Sequence, residues 1–156
     1  MESWELGVFV LSESARATSA AEGRFRIEPG AAVARRVKVV ALDPAGDRLV
    51  SRLAAGSWNN VTFVPYDELA TRGADDIAAA DLVVMVVSAG SDAAAAARIG
   101  QACSDMRTHT ATFVVRPPSA TDEGLSRTLA QVRPWSLMVV VATDEAYVED
   151  VLRSFR

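Results

Sequence analysis

The stretch Asp81-Leu82-Val83-Val84-Met85-Val86-Val87 constrains this chain more than any other feature. An unbroken run of β-branched and apolar residues has no polar face, so it suits a strand covered on both sides, as in a parallel sheet. Similar runs flank it. Val37-Lys38-Val39-Val40-Ala41-Leu42 and Val61-Thr62-Phe63-Val64-Pro65-Tyr66 come before it; Thr110-Ala111-Thr112-Phe113-Val114-Val115 and Trp135 to Ala142 come after. Between them lie segments with helical spacing. Arg48 to Ala55 places Leu49, Val50 and Leu53 on one face, with Gly56 as a stop, and a short Ala-rich helix is expected within Asp67 to Ala80. Ala93 to Arg107 carries a stripe of Ile99, Ala102, Cys103 and Met106. Thr121 to Val132 points Leu125, Leu129 and Val132 inward. The last helix, capped by Thr143 or Asp144, has Tyr147, Val148, Val151, Leu152 and Phe155 on its apolar face. Strand and helix in alternation predict an α/β, three-layer Rossmann-like parallel sheet of about five strands, with right-handed crossovers and helices on both faces.

Residues 1–36 read differently, as an N-terminal arm ahead of a 37–156 domain. Trp4 to Leu11 has strand character, Ser12 to Gly23 is small and polar, and Glu28-Pro29-Gly30 signals a turn. The start is acidic and the apolar stretch Leu6–Leu11 is short for a secretory signal core, so a cytoplasmic location is expected. No apolar run is long enough to cross a bilayer, so no membrane insertion is expected. The net charge of −4 lacks the dense basic patch of a nucleic-acid binder. The local cluster Arg24, Arg26, Arg35, Arg36 and Lys38 reads as a solvated approach to the first strand.

In a sheet of this kind ligands sit beyond the carboxyl ends of the strands, which places the loops 43–47, 67–76, 88–92, 116–120 and 143–145 at one edge. The first of them, Asp43-Pro44-Ala45-Gly46-Asp47, reads as a turn. It has one glycine and two acids where a dinucleotide loop needs three spaced glycines, and the only lysine, Lys38, lies within a strand rather than in a Walker loop. Asp43 ends the first strand as receiver-domain acids do, but the third strand ends in Ser88-Ala89-Gly90, without an acceptor aspartate. The single Cys103 falls on a helical stripe and reads as a core residue. The single His109 begins the fourth strand, at the far edge from the loops, so neither a zinc site nor a Cys–His pair is indicated. The acid pairs Asp43/Asp47, Asp75/Asp76 and Asp122/Glu123 read as turn or helix-start acids; a magnesium site built from Asp43 and Asp92 is a further option.

Several segments resemble the nucleotide-binding domain of the FtsZ/tubulin family. The similarity lies in the cadence of Val37 to Glu68, with its Arg52-Leu53-Ala54-Ala55-Gly56 and Val61-Thr62-Phe63-Val64 pieces. It continues in Ala80 to Gly90 (ADLVVMVVSAG) and in Thr112 to Gly124 (TFVVRPPSATDEG). The family's phosphate loop is GGGTGTG; here Gly90-Ser91-Asp92-Ala93-Ala94-Ala95-Ala96 keeps only Gly90. Asp92 can cap the helix it precedes, taking the place of a phosphate. The first loop has Asp43 and Pro44 for glycines, and the family's base-reading asparagine falls near Thr143-Asp144-Glu145. The chain ends where the family's central helix and second domain follow. The resemblance therefore implies a degenerate GTPase fold: a non-catalytic FtsZ-like domain serving as a binding, regulatory or self-association module. The alternative is a small-ligand or nucleotide-binding domain with a rebuilt phosphate site, taking GTP or GDP with at most weak hydrolysis. Its candidate ligand-binding residues are Asp43, Gly46, Gly90, Ser91, Asp92, Pro117 and Asp144, with no catalytic residue and no metal ligand assigned. The expected partners are a second copy, through the N-terminal arm with Trp4 and Phe9, or another cytoplasmic protein.

Overall fold

The computed structural model describes residues 34–155. Nearly all of the 1–36 arm, its Leu6–Leu11 stretch and the proposed dimer contact there lie outside the described residues. Five strands form one sheet: β1 (Val37–Ala41), β2 (Val61–Val64), β3 (Leu82–Ser88), β4 (His109–Val115) and β5 (Met138–Ala142). Every pairing is parallel and the order is β2-β1-β3-β4-β5. The helices are α1 (Pro44–Ala54), α2 (Ala74–Ala78), α3 (Ala95–Asp105), α4 (Asp122–Val132) and α5 (Glu145–Ser154), with 3₁₀ turns at Tyr66–Glu68 and Arg133–Trp135.

The uninterrupted apolar run is the middle of the sheet. Val83 to Val87 of β3 are all fully buried, because β1 and β4 flank the strand and helices cover both faces. On one face Val40, Val83, Met85, Val87 and Val114 meet Ile77 of α2, Ile99 and Cys103 of α3, and Val132 of α4. On the other, Val39, Val84, Val86 and Phe113 meet Leu49, Val50 and Leu53 of α1 and Val148 and Leu152 of α5. The chain is thus the doubly wound three-layer α/β sheet that its periodicity predicts. Each of these large side chains contributes about 1.5–3 kcal/mol on burial. The surface ion pairs, such as Arg72–Asp76 at 2.9 Å, are worth about 0–1 kcal/mol each, so packing on the two sheet faces dominates.

Several element boundaries differ from the sequence reading, most of them by one or two residues. The first helix begins at Pro44 rather than Arg48, so 43–47 is not a free turn. Asp43 is the N-cap, and Pro44, which needs no amide partner there, takes the first helical position. The third helix starts at Ala95 and ends at Asp105, and Met106 is exposed rather than inward. The fifth strand starts at Met138 rather than Trp135. Residues Arg133–Trp135 turn instead, held by Ser136 Oγ, which donates to the Val132 carbonyl at 2.8 Å and lies 2.6 Å from the Thr112 hydroxyl. On the last helix Val148 and Leu152 are buried, but Tyr147 is exposed.

Part of the basic cluster is tied down rather than merely solvated. The Lys38 ammonium reaches Asp76, and Arg36 donates its amide to Asp81 at 2.8 Å. That amide, followed by the Arg36 guanidinium, holds the Asp81 carboxyl below its ordinary value. The contact therefore helps the fold above the unfolded pKa and fades as pH falls through the folded one.

The Arg133–Trp135 turn sits on Gly100 of α3, where an added Cβ would lie 2.4 Å from Trp135 Cβ. Gly100→Ala must push the turn off α3, and a loss of about 1–3 kcal/mol is expected. The check is the urea midpoint, which should fall with an unchanged m-value.

Candidate functional site

The strand order reverses between β1 and β3. In a doubly wound sheet the crevice at that reversal, outside the carboxyl ends, is where ligands bind, with the first helix N-terminus aimed at the ligand's anionic group. Here the crevice contains Asp43, which is only 3% exposed. Its Oδ1 accepts from the Gly46 amide of α1 at 2.9 Å, and both its oxygens lie 3.3 Å from the Ser88 amide at the end of β3. A carboxylate of the chain itself thus holds the amides that would otherwise point at a bound anion. Gly46 is required by the closeness of this arrangement. A Cβ on it would lie 2.6 Å from Asp43 Oδ1 and 2.9 Å from the Val86 carbonyl oxygen. Asp47 is engaged elsewhere, accepting from the Tyr66 amide at 2.8 Å and so pinning the exit of β2.

The loop after β3 is closed from α4. Gly90 has φ of +90°, a conformation that favours glycine, and its amide donates to Thr128 Oγ1 at 3.0 Å. The Thr128 hydroxyl faces the Ser91 carbonyl at 3.0 Å and the Gly124 carbonyl at 3.2 Å. Asp92 accepts from the Ala94 amide at 3.0 Å and from Gln131 Nε2 at 2.8 Å, while Gln131 Oε1 accepts from the Ala93 amide at 2.7 Å. The amides just ahead of α3 are therefore shared between Asp92 and Gln131.

The starts of α4 and α5 follow the same rule, whereas α2 begins after Gly73 without a side-chain cap. Thr121 Oγ1 accepts from the Gly124 amide at 3.0 Å, and Asp144 Oδ1 accepts from the Ala146 amide at 2.9 Å. Arg116 pairs with Asp122 at 2.6 Å, and Arg52 of α1 pairs with Glu145 of α5. Pro117 accepts from the Ala120 amide at 3.0 Å, forming the turn that leads into α4.

The structure thus brings together Asp43 and Gly46 with Ser88. It brings Gly90, Ser91 and Asp92 together with Gly124, Thr128 and Gln131. Pro117 and Asp144 stand in the two loops that follow β4 and β5. Thr128 and Gln131 were not picked out from the sequence. A signal existed, because Thr128 is a polar residue on the stripe of Leu125, Leu129 and Val132, and Gln131 is three residues further along the same helix.

Among the described residues, no group of three or more His, Cys, Asp or Glu side chains could hold a metal, and every buried side-chain nitrogen or oxygen has a partner. An open depression at this edge is lined by Gly90, Ser91, Asp92, Arg127, Ala130 and Gln131. A second cleft, beside Trp58, Asn60, Val61 and Arg153, lies at the amino end of β2, at the opposite edge of the sheet. His109 is exposed at the amino end of β4, also away from the ligand edge. Cys103 is buried on α3, and burial raises its thiol to about 11.

Two outcomes follow. Asp43→Ala removes a helix cap and strands the Ser88 amide, so a loss on the order of 2–4 kcal/mol is expected in denaturant unfolding, whereas Asp43→Asn, which keeps a capping oxygen, should lose less. The Cys103 thiol should resist alkylation at pH 8 in the folded protein and react promptly in denaturant, as mass spectrometry would record.

Comparison with known protein families, with curated proteins and with solved structures finds no match to this chain.

Proposed function

We propose that this chain is a non-catalytic, FtsZ-like domain that acts as a binding, regulatory or self-association module. The observation that carries this reading is the Asp43 carboxylate on the Gly46 and Ser88 amides. Phosphate recognition at a sheet switch point needs free amides and no competing negative charge. An anionic ligand entering there would have to displace a buried carboxylate that already has its hydrogen bonds, and would meet its charge on the way in. The loop that in the resembled family wraps phosphate is held by Thr128, Gln131 and Asp92. Function then passes to surfaces rather than to a pocket, and the partner is a protein.

The competing reading is a nucleotide or small-ligand domain with a rebuilt site. In its favour is the depression beside Gly90 and Ser91, with the exposed Arg127 at its rim. A thermal-melt titration with GTP, GDP, ATP and NAD decides between the two. A ligand at a hundred times its dissociation constant stabilises by about 2.7 kcal/mol, which for a domain of this size moves the melt by several degrees. The expected result is no shift with any of the four. A concentration-dependent rise with GTP or GDP contradicts the proposal and supports the rebuilt site.

A further inference from the structure

Among the described residues, two strands of the sheet, β2 and β5, have a side without a neighbour in the strand order. They differ in how that side is finished. β2 is four residues long and is followed by Pro65, which has no amide to offer. Trp58, ahead of it, packs edge-on to Phe63 at 5.4 Å, with the Arg153 guanidinium 4.2 Å from its ring centre. β5 has no such protection. Ser136 to Ala142 contains no charge, proline or glycine, the devices that usually blunt a sheet edge. The Arg116 amide bonds the Ala142 carbonyl, which turns that residue's backbone toward β4; by alternation, the backbone groups of Val139 and Val141 face outward. Apolar side chains are exposed along the same stretch: Leu137 is 76% exposed, Met138 45% and Val141 42%.

We propose that a second copy of this chain covers the edge. The two β5 strands pair antiparallel about a two-fold axis, joining two sheets into one. A two-fold contact is self-complementary, so the strand must suit itself. β5 does so in three ways: its outward amides and carbonyls alternate along one line, its side chains bring no like charges together, and its ends differ in sign. The exposed Arg133 precedes the strand and the exposed Asp144 follows it. Antiparallel pairing sets the Arg133 end of each copy toward the Asp144 end of the other, whereas parallel addition would set like beside like. The proposal rests on reading the chain as an interaction module, and it names that module's partner and surface. Its failure is distinguishable from failure of that reading, since nucleotide melts test the ligand edge and association tests β5.

The test is sedimentation velocity of the full chain over about a hundredfold range of concentration, because self-association follows mass action. It is paired with amide hydrogen exchange at Val139 and Val141. The wild type is expected to sediment as a dimer that dissociates on dilution, with both amides protected only in the dimer. Leu137→Lys/Val141→Lys places charge on the edge and is expected to raise the dimer dissociation constant by about a hundredfold or more, with the far-UV circular dichroism unchanged. Leu137→Lys alone, at the most exposed position, should weaken the dimer in the same direction without threatening the fold. A wild type that is monomeric throughout overturns the proposal, whether its β5 amides exchange freely or are protected by the chain's own residues 1–33. A double variant that dimerises as well as the wild type also overturns it.

Discussion

The carboxylate of Asp43 bonds to the amides of Gly46 and Ser88, and in doing so joins the end of β1, the start of α1 and the end of β3. These three elements meet where the strand order reverses, a place where the amides of a helix start and a strand end converge without a partner in either element. Something has to accept from those amides. In a nucleotide-binding sheet it is phosphate; here it is a side chain one residue ahead of the helix. The consequences are local and specific. Asp43 lets α1 begin at Pro44, and Gly46 allows the helix to come against the Val86 carbonyl with no Cβ between them. The crevice is filled from within.

The same solution recurs along the edge by different means. Asp92 with Gln131 serves α3, Thr121 serves α4, and Asp144 serves α5. Of all these caps only Asp43, at the start of α1, is deeply buried, and so only there does the cap also fill the crevice. The loop after β3 is held by Thr128 and Gln131 of α4, which fixes Gly90 in its left-handed conformation and brings Gly90 to within 3.2 Å of where a Gly124 Cβ would be. Among the described residues, the uncharged rim of β5 combines outward-facing backbone groups with exposed apolar side chains.

Much of the fold was legible because the signals are physical and short in range. Val83 to Val87 cannot be a half-exposed strand, and the spacing of Leu49, Val50 and Leu53 cannot be a strand at all. The start of α1 was misread because Asp43-Pro44-Ala45-Gly46-Asp47 has turn composition, and an aspartate followed by proline is equally a cap with proline at the first helical position. The start of β5 was misread because Trp135 has high strand preference, while its packing on Gly100 comes from α3, remote in the sequence. The candidate residues fell where chain order places them, at the strand ends. What could not be read was the partner of each. The bonds from Thr128 to Gly90 and from Gln131 to Ala93 cross 38 residues, and no local pattern encodes them.

The central claim is that the amides at the switch point already have their acceptor. Amide NMR with inorganic pyrophosphate tests it most directly, reading the Gly46 and Ser88 resonances as ligand is added to the full chain. Both should stay in place, apart from the small, non-saturating drift of changing ionic strength. A saturable displacement of either resonance would mean that an anion takes the position assigned to Asp43, and would contradict the account.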